Sequence, residues 1–268
     1  MTRTVESPSN PAIAAAVRAL RDGARMALEG PRMLREALDA GILPSTVFHV
    51  PGGEEEAAAR LAAERGAELV VASPRAIERL TDLASARGLL ALARPPRHAP
   101  GELPLPEGGL ALLLDGVQDP SNVGAALRSA EAFGASCALL TTGCASPYGA
   151  RSLRASAGSA FRLPAATSVS PEEAVRWVRS RSALLLGAEA HGGVPPDQLS
   201  PSSAPLVLAI GSEGRGLSAP VEAAVDVRLT LPLLGRVESL NAAVAAGVLL
   251  YALAGRKSDS PKTSAEKR

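Results

Sequence analysis

Four short, continuously apolar runs set the fold class of this chain: Leu110–Leu114, Ala138–Leu140, Ala183–Leu186 and Leu206–Ile210. Segments of helical periodicity separate them. A strand that is apolar at every position is buried on both faces, which requires a parallel sheet covered by helices on either side. Ligands of such sheets bind beyond the carboxyl ends of the strands. Asp115-Gly116, Thr141-Thr142-Gly143, Gly187-Ala188-Glu189 and Gly211-Ser212-Glu213 occupy those places.

The stretch Arg94–Gly109 is too rich in Pro and Gly for a helix or a central strand, so it reads as an interdomain linker. Ahead of it, Asn10 followed by Pro11 predicts a capped helix to about Arg21. Helices over Pro31–Ala40 and Glu54–Arg65 and strands at Val47–Val50 and Leu69–Val71 complete a small α/β domain. The expected division is therefore 1–93, a linker at 94–109, a second domain at 110–256, and a polar, disordered tail at 257–268.

Composition narrows the function. Apolar residues make up 46% of the 268 residues but aromatics only 2%, so the cores are built from Leu, Val and Ala. A net charge of +1 gives no global footprint for nucleic acid. Between Asn122 and Arg162, however, Arg128, Arg151, Arg154 and Arg162 face the single acid Glu131. A local basic surface can hold phosphates in a neutral protein, although an ordinary solvated face accounts equally well for the charges alone. Cys137 and Cys144 are too few for a disulfide framework and lack partners for a metal site, so no metal is expected. No charged-then-apolar leader and no membrane-length apolar run is present, which makes a cytoplasmic location the expectation.

Three polar islands carry the chemistry. In Asp115–Gly134, Ser121 or Asn122 can cap a helix with an apolar stripe through Val123, Ala126, Leu127 and Ala130. Arg128 then projects back over Gly124 toward the preceding loop. In Leu206–Ser218 a strand runs into Gly-Ser-Glu-Gly-Arg-Gly, whose glycines permit close backbone approach to a ligand. The spacing fits neither a dinucleotide fingerprint nor a phosphate-binding Walker loop. In Leu231–Leu253, Asn241 or Ser239 caps a helix that is apolar nearly all round, the mark of a helix buried in a large fold or against a second subunit. Taken singly, each island is matched by a plain cap or turn.

Taken together and in order, these segments resemble the three signature motifs of the SpoU/TrmH family of SPOUT methyltransferases: DGVQDPSNVGAALRSAEAFGA at Asp115–Ala135, LVLAIGSEGRGLS at Leu206–Ser218 and LPLLGRVESLNAAVAAGVLLYAL at Leu231–Leu253. RASAGSAFRLP at Arg154–Pro164 is similar to the family as well. So are SPSNP at Ser7–Pro11 and RMALEGPRMLREAL at Arg25–Leu38, which match its ribosomal-protein-like substrate-binding domain. The resemblance implies a SPOUT-type parallel sheet with a trefoil knot behind a small α/β RNA-binding domain. It also implies S-adenosylmethionine as cofactor and methylation of a ribose 2′-hydroxyl. No periodicity could suggest a knot, because the usual topology rules discard one.

By the same resemblance, the cofactor meets Ala188, Gly211, Leu231 and Leu240. Some relatives carry a hydroxyl where this chain has Ala188. Catalysis falls to Asn122, Arg128, Glu213 and Asn241, supported by Ser239. A guanidinium stays protonated in a protein, so Arg128 is expected to stabilise a developing alkoxide or clamp a phosphate, with Glu213 orienting Arg128 or the cofactor. Arg25, Arg151, Arg154 and Arg162 are candidate RNA contacts. The expected partners are RNA, ribosomal before transfer RNA, and a second copy of the chain. A non-catalytic RNA-binding factor and a base methyltransferase are the competing readings.

Overall fold

The structure, a computed structural model, describes residues 3–81, 88–200 and 202–255; the tail expected at 257–268 lies outside them. The chain divides into two units, residues 1–96 with 148–150 and residues 97–147 with 151–268.

The first unit runs β1 (Arg3–Val5), α1 (Pro11–Arg21), β2 (Met26–Glu29), α2 (Gly30–Asp39), β3 (Pro44–His49), α3 (Gly53–Glu64), β4 (Glu68–Ala72), α4 (Pro74–Glu78) and β5 (Leu89–Ala93). Asn10 caps α1 by accepting the Ala12 N–H at 2.9 Å, with Pro11 in the first turn, as its sequence requires. The sheet order is β1-β4-β3-β5-β2, with β5 antiparallel to both neighbours. Ile13, Phe48, Ile77 and Leu90 fill its core.

The second unit contains β6 (Leu110–Asp115), α5 (Pro120–Ala132), β7 (Cys137–Thr141), α6 (Ala150–Ser156), α7 (Ser159–Arg162), β8 (Ala165–Val169), α8 (Pro171–Ser180) and β9 (Leu184–Glu189). Then come β10 (Leu206–Gly211), α9 (Ala219–Ala223), β11 (Val227–Thr230) and α10 (Ala242–Gly255). Its sheet is parallel throughout, in the order β11-β9-β10-β6-β7-β8. The four apolar runs are its four central strands. β6 is buried at every position, as a strand covered on both faces must be. The strands not foreseen, β8 and β11, are the edges, where polar residues at Thr167, Ser168 and Arg228 meet solvent.

Two local expectations change. Residues 97–109 belong to the second unit rather than spanning freely between domains: Leu103 and Leu105 enter its core, and Arg181 Nη2 donates to the carbonyls of Gly101 and Leu103 at 2.9 and 3.1 Å. The cap of α5 is Asp119, not Ser121 or Asn122; its carboxylate accepts their backbone N–H groups at 2.6 and 3.2 Å.

Gly124 also has a different reason from the one its spacing suggested. It leaves room not for Arg128 but for α6: a Cβ there would lie 2.3 Å from the Ser152 carbonyl oxygen and 2.7 Å from the Ala155 Cβ. Gly124→Ala gains about 1 kcal/mol of helix propensity. It must displace the backbone of α6 to do so, an overpacking cost of about 3 kcal/mol. The expected outcome is a lower thermal midpoint in a melting experiment; an unchanged midpoint would show that the two helices separate at no cost.

Candidate active site

Beyond the carboxyl ends of β6 and β10, three side chains from distant segments form one hydrogen-bonded cluster. Asn122 Nδ2 donates to Glu213 Oε1 at 2.9 Å, Asn241 Nδ2 donates to the same oxygen at 3.0 Å, and Asn241 Nδ2 also donates to Asn122 Oδ1 at 2.9 Å. The second carboxylate oxygen of Glu213 has no hydrogen-bond partner among the described residues.

Each member is held by local structure. Asn122 sits in the first turn of α5, where Asp119 and Pro120 start the helix. The Asn122 and Ser121 N–H groups hold the Asp119 carboxyl below the usual carboxylate range. Glu213 rides on a tight loop in which Ser212 and Gly216 exchange backbone hydrogen bonds at 3.0 and 2.8 Å. Gly211 is obligatory at its base, since a Cβ would come within 2.2 Å of the Gly216 carbonyl carbon. Asn241 is the N-cap of α10, its Oδ1 accepting the N–H groups of Ala243 and Val244 at 3.0 and 3.3 Å. That requirement turns its Nδ2 toward the carboxylate, so cap and cluster use opposite ends of one amide. A plain cap and a site residue are here the same residue.

Next to the cluster lies a cavity of about 210 Å³ at the ends of β9 and β10. Ala188, Gly211, Leu231 and Leu240 all line it, as do Ser239 and Glu213. The charged side chains among its lining residues are Glu189 and Glu213, both acids. The apolar parts of the wall fit an aromatic base, and the Glu213 carboxylate suits a cation, while Glu189 is already ion-paired with Arg228. This donor set fits a sulfonium nucleoside. Glu189 was placed at a ligand-facing strand end by the sequence but not among the cofactor contacts; its position directly after Ala188 was the available signal.

The arginines behave less uniformly. Arg128 is exposed, and no hydrogen bond or ion pair joins it to Glu213 or to any other described residue. Of the two roles expected for Glu213, orienting Arg128 or the cofactor, the first has no contact behind it, and Glu213 bonds to the two asparagines instead. Arg151 and Arg154 are exposed, and Arg151 helps to hold the Asp119 carboxyl down. Arg162 is committed to a two-pronged ion pair with Glu131, one arm of 3.0 Å, which removes it from the pool of available cations. In the first unit Arg25 is half-buried and donates to the Ala24 carbonyl at 3.0 Å. Arg18, Arg21 and Arg79, which the sequence did not single out, line a groove of about 480 Å³ together with Ser9. Lone arginines on the polar side of a helix look like solvated charge, which hid them.

Among the described residues no group of three or more His, Cys, Asp or Glu side chains could hold a metal, and no helix is long and apolar enough to cross a membrane. Both cysteines are free, and burial pushes the Cys137 thiol up to about 12.

Residues 109–251 match the SpoU rRNA Methylase family. A 23S rRNA (guanosine(2553)-2′-O)-methyltransferase, RlmP, of Bacillus subtilis is 31% identical over 229 residues, 85% of this chain and 88% of the relative. An uncharacterized tRNA/rRNA methyltransferase of Mycolicibacterium vanbaalenii is 30% identical over 239 residues, 85% of this chain and 76% of the relative. Among solved structures, the SpoU methyltransferase AviRb of Streptomyces viridochromogenes, in complex with the cofactor AdoMet, superposes with a TM-score of 0.83 at 26% identity, covering 93% of this chain and 99% of that one.

Proposed function

The chain belongs to the SpoU rRNA methylase family, and from that premise we propose that it is an S-adenosylmethionine-dependent methyltransferase acting on a ribose 2′-hydroxyl of ribosomal RNA. The observation that carries the reading is the convergence of Asn122 and Asn241 on Glu213, a carboxylate that lines the cavity beside Leu231 and Leu240. A non-catalytic RNA-binding factor would have no use for a carboxylate held by two amides with one oxygen left free.

S-adenosylmethionine, when bound, supplies a methyl group activated by its positive sulfur. Leu231, Leu240, Ala188 and the backbone at Gly211 would hold it, and Glu213 would complement its charge, Glu189 being already ion-paired with Arg228. Asn122 and Asn241 fix Glu213 through Oε1, leaving Oε2 to accept a hydrogen bond from the attacking hydroxyl and to draw off its proton. Arg128, permanently charged and unpaired among the described residues, stabilises the oxygen as it loses that proton. Ser239 borders the cavity beside Leu240.

The reading extends to the trefoil knot of the family and to RNA capture by the first unit. Arg18, Arg21 and Arg79 line that unit's groove with no partner among the described residues, and Arg25 in the same unit and Arg151 and Arg154 in the second are the other candidate phosphate contacts. Replacing Arg18, Arg21 and Arg79 by Gln is expected to weaken RNA binding and to flatten its salt dependence. Each lost phosphate contact takes about 0.7–0.9 from the slope of log K against log salt. A slope equal to that of the unaltered protein would remove the groove from the interface.

The chain is proposed to work as a homodimer. Val244, Val248 and Tyr251 form an apolar stripe on α10, 51, 44 and 67% exposed, and Phe133 packs edge-on against Tyr251 at 5.5 Å. Val248→Glu is expected to give a monomer in sedimentation, whereas an unchanged mass would place any self-association elsewhere. The catalytic reading is tested by transfer of labelled methyl from the donor to separated ribosomal and transfer RNA pools. Label entering ribosomal RNA supports it; label confined to transfer RNA overturns the choice of substrate.

A further inference from the structure

Asp115 ends the central strand β6 and is 3% exposed, yet no ion pair with a described basic residue compensates its carboxylate. Burying a carboxylate is costly unless hydrogen bonds hold it. Two do: Oδ1 accepts the Thr141 hydroxyl at 2.8 Å and Oδ2 accepts the Ser218 N–H at 2.6 Å. Thr141 Oγ1 in turn accepts the Gly116 N–H at 3.0 Å.

The placement of Ser218 gives these bonds a consequence. Gly211 pairs with Asp115 across the β10–β6 register, so the loop carrying Glu213 leaves the sheet beside this carboxylate. The chain folds back at Gly216, 2.2 Å from where a Gly211 Cβ would stand, and two residues later the Ser218 N–H meets Asp115. Ser218 makes no side-chain cap bond to α9, and its hydroxyl has no partner among the described residues, so its backbone N–H is its anchor. Both ends of the 212–217 loop are thus fixed at the level of one carboxylate. That loop supplies Ser212, Glu213 and Gly216 to the cavity wall.

We propose that Asp115 is a positioning residue. By holding the Ser218 N–H it sets the depth of the loop, and with it the donor-facing wall and the Glu213 carboxylate, while Thr141 holds its own rotamer. The inference rests on the reading of this cavity as the donor pocket.

Calorimetric titration of S-adenosylmethionine tests it on the full chain. Asp115→Ala is expected to weaken donor binding about tenfold, the loss of one charge-assisted hydrogen bond, with RNA affinity unchanged. Asp115→Asn is expected to restore donor affinity to within about threefold, because Oδ1 can accept from Ser218 while Nδ2 donates to Thr141 Oγ1. Rescue by a neutral acceptor separates loop positioning from a requirement for the charge. If Asp115→Ala does not fold, Thr141→Val replaces it, with donor affinity again expected to fall. Donor binding as tight as in the unaltered protein in whichever variant folds, or an asparagine no better than alanine, overturns the inference. Failure of the unaltered protein itself to bind the donor would instead overturn the proposed function.

Discussion

Arg128→Ala is expected to slow methyl transfer about 100-fold, the usual cost of removing one preorganised donor to a developing oxyanion, with donor affinity and thermal midpoint unchanged. The contrast follows from where Arg128 sits. It is exposed on α5 with no hydrogen bond or ion pair to any described residue, so its loss leaves no buried group unsatisfied. A guanidinium engaged by no described residue is available to the substrate. Single-turnover kinetics beside a thermal melt separates the two effects. Arg128→Lys keeps the charge but loses the planar fork and is expected to recover only part of the rate. Full activity in the lysine variant would show that geometry is irrelevant, and full activity in the alanine variant would remove Arg128 from the chemistry.

Asn241 allows a sharper dissection because its amide does two jobs. Asn241→Ala loses the cap on α10, at a cost of about 1 kcal/mol, and with it both donations into the cluster. Asn241→Ser keeps an oxygen that can cap the helix but has no Nδ2. The serine variant is expected to regain most of the lost stability while methyl transfer remains about 100-fold down in both, as befits a carboxylate released from its positioning. Should serine restore activity together with stability, the contacts to Glu213 and Asn122 contribute nothing beyond the cap.

How far the sequence revealed this arrangement depends on where each residue sits. The four central strands of the second unit were legible because burial on both faces leaves an unbroken apolar run. The edges β8 and β11 were not, since one side of an edge meets solvent and its pattern is mixed. In the first unit β5, Leu-Leu-Ala-Leu-Ala, escaped because leucine and alanine favour helix as much as they fill a strand. The three residues of the cluster were singled out, with Arg128 and Ser239, from the motif resemblance rather than from spacing, and hydrogen bonds join only the three. Asn122 and Asn241 are 119 positions apart, and no local rule brings them within 2.9 Å. The cap of α5 was misplaced because Asp119, Ser121 and Asn122 are all good capping residues, and Pro120 settles the choice by fitting the first turn. Asp115 was visible as a polar strand end, but its partners Thr141, at the end of β7, and Ser218, at the N-cap of α9, come from distant segments that only the fold brings to it.

The claim on which the rest depends is that loops at the ends of β6 and β10 and the start of α10 together hand a methyl group to a sugar oxygen. Nucleoside mass spectrometry of ribosomal RNA treated with the protein and S-adenosylmethionine reads that oxygen out. The expected result is a nucleoside whose added methyl remains on the ribose fragment, its formation slowed in Glu213→Gln and Asn241→Ser. A methyl on the base fragment, or RNA left unmodified by protein that binds the donor, would contradict it.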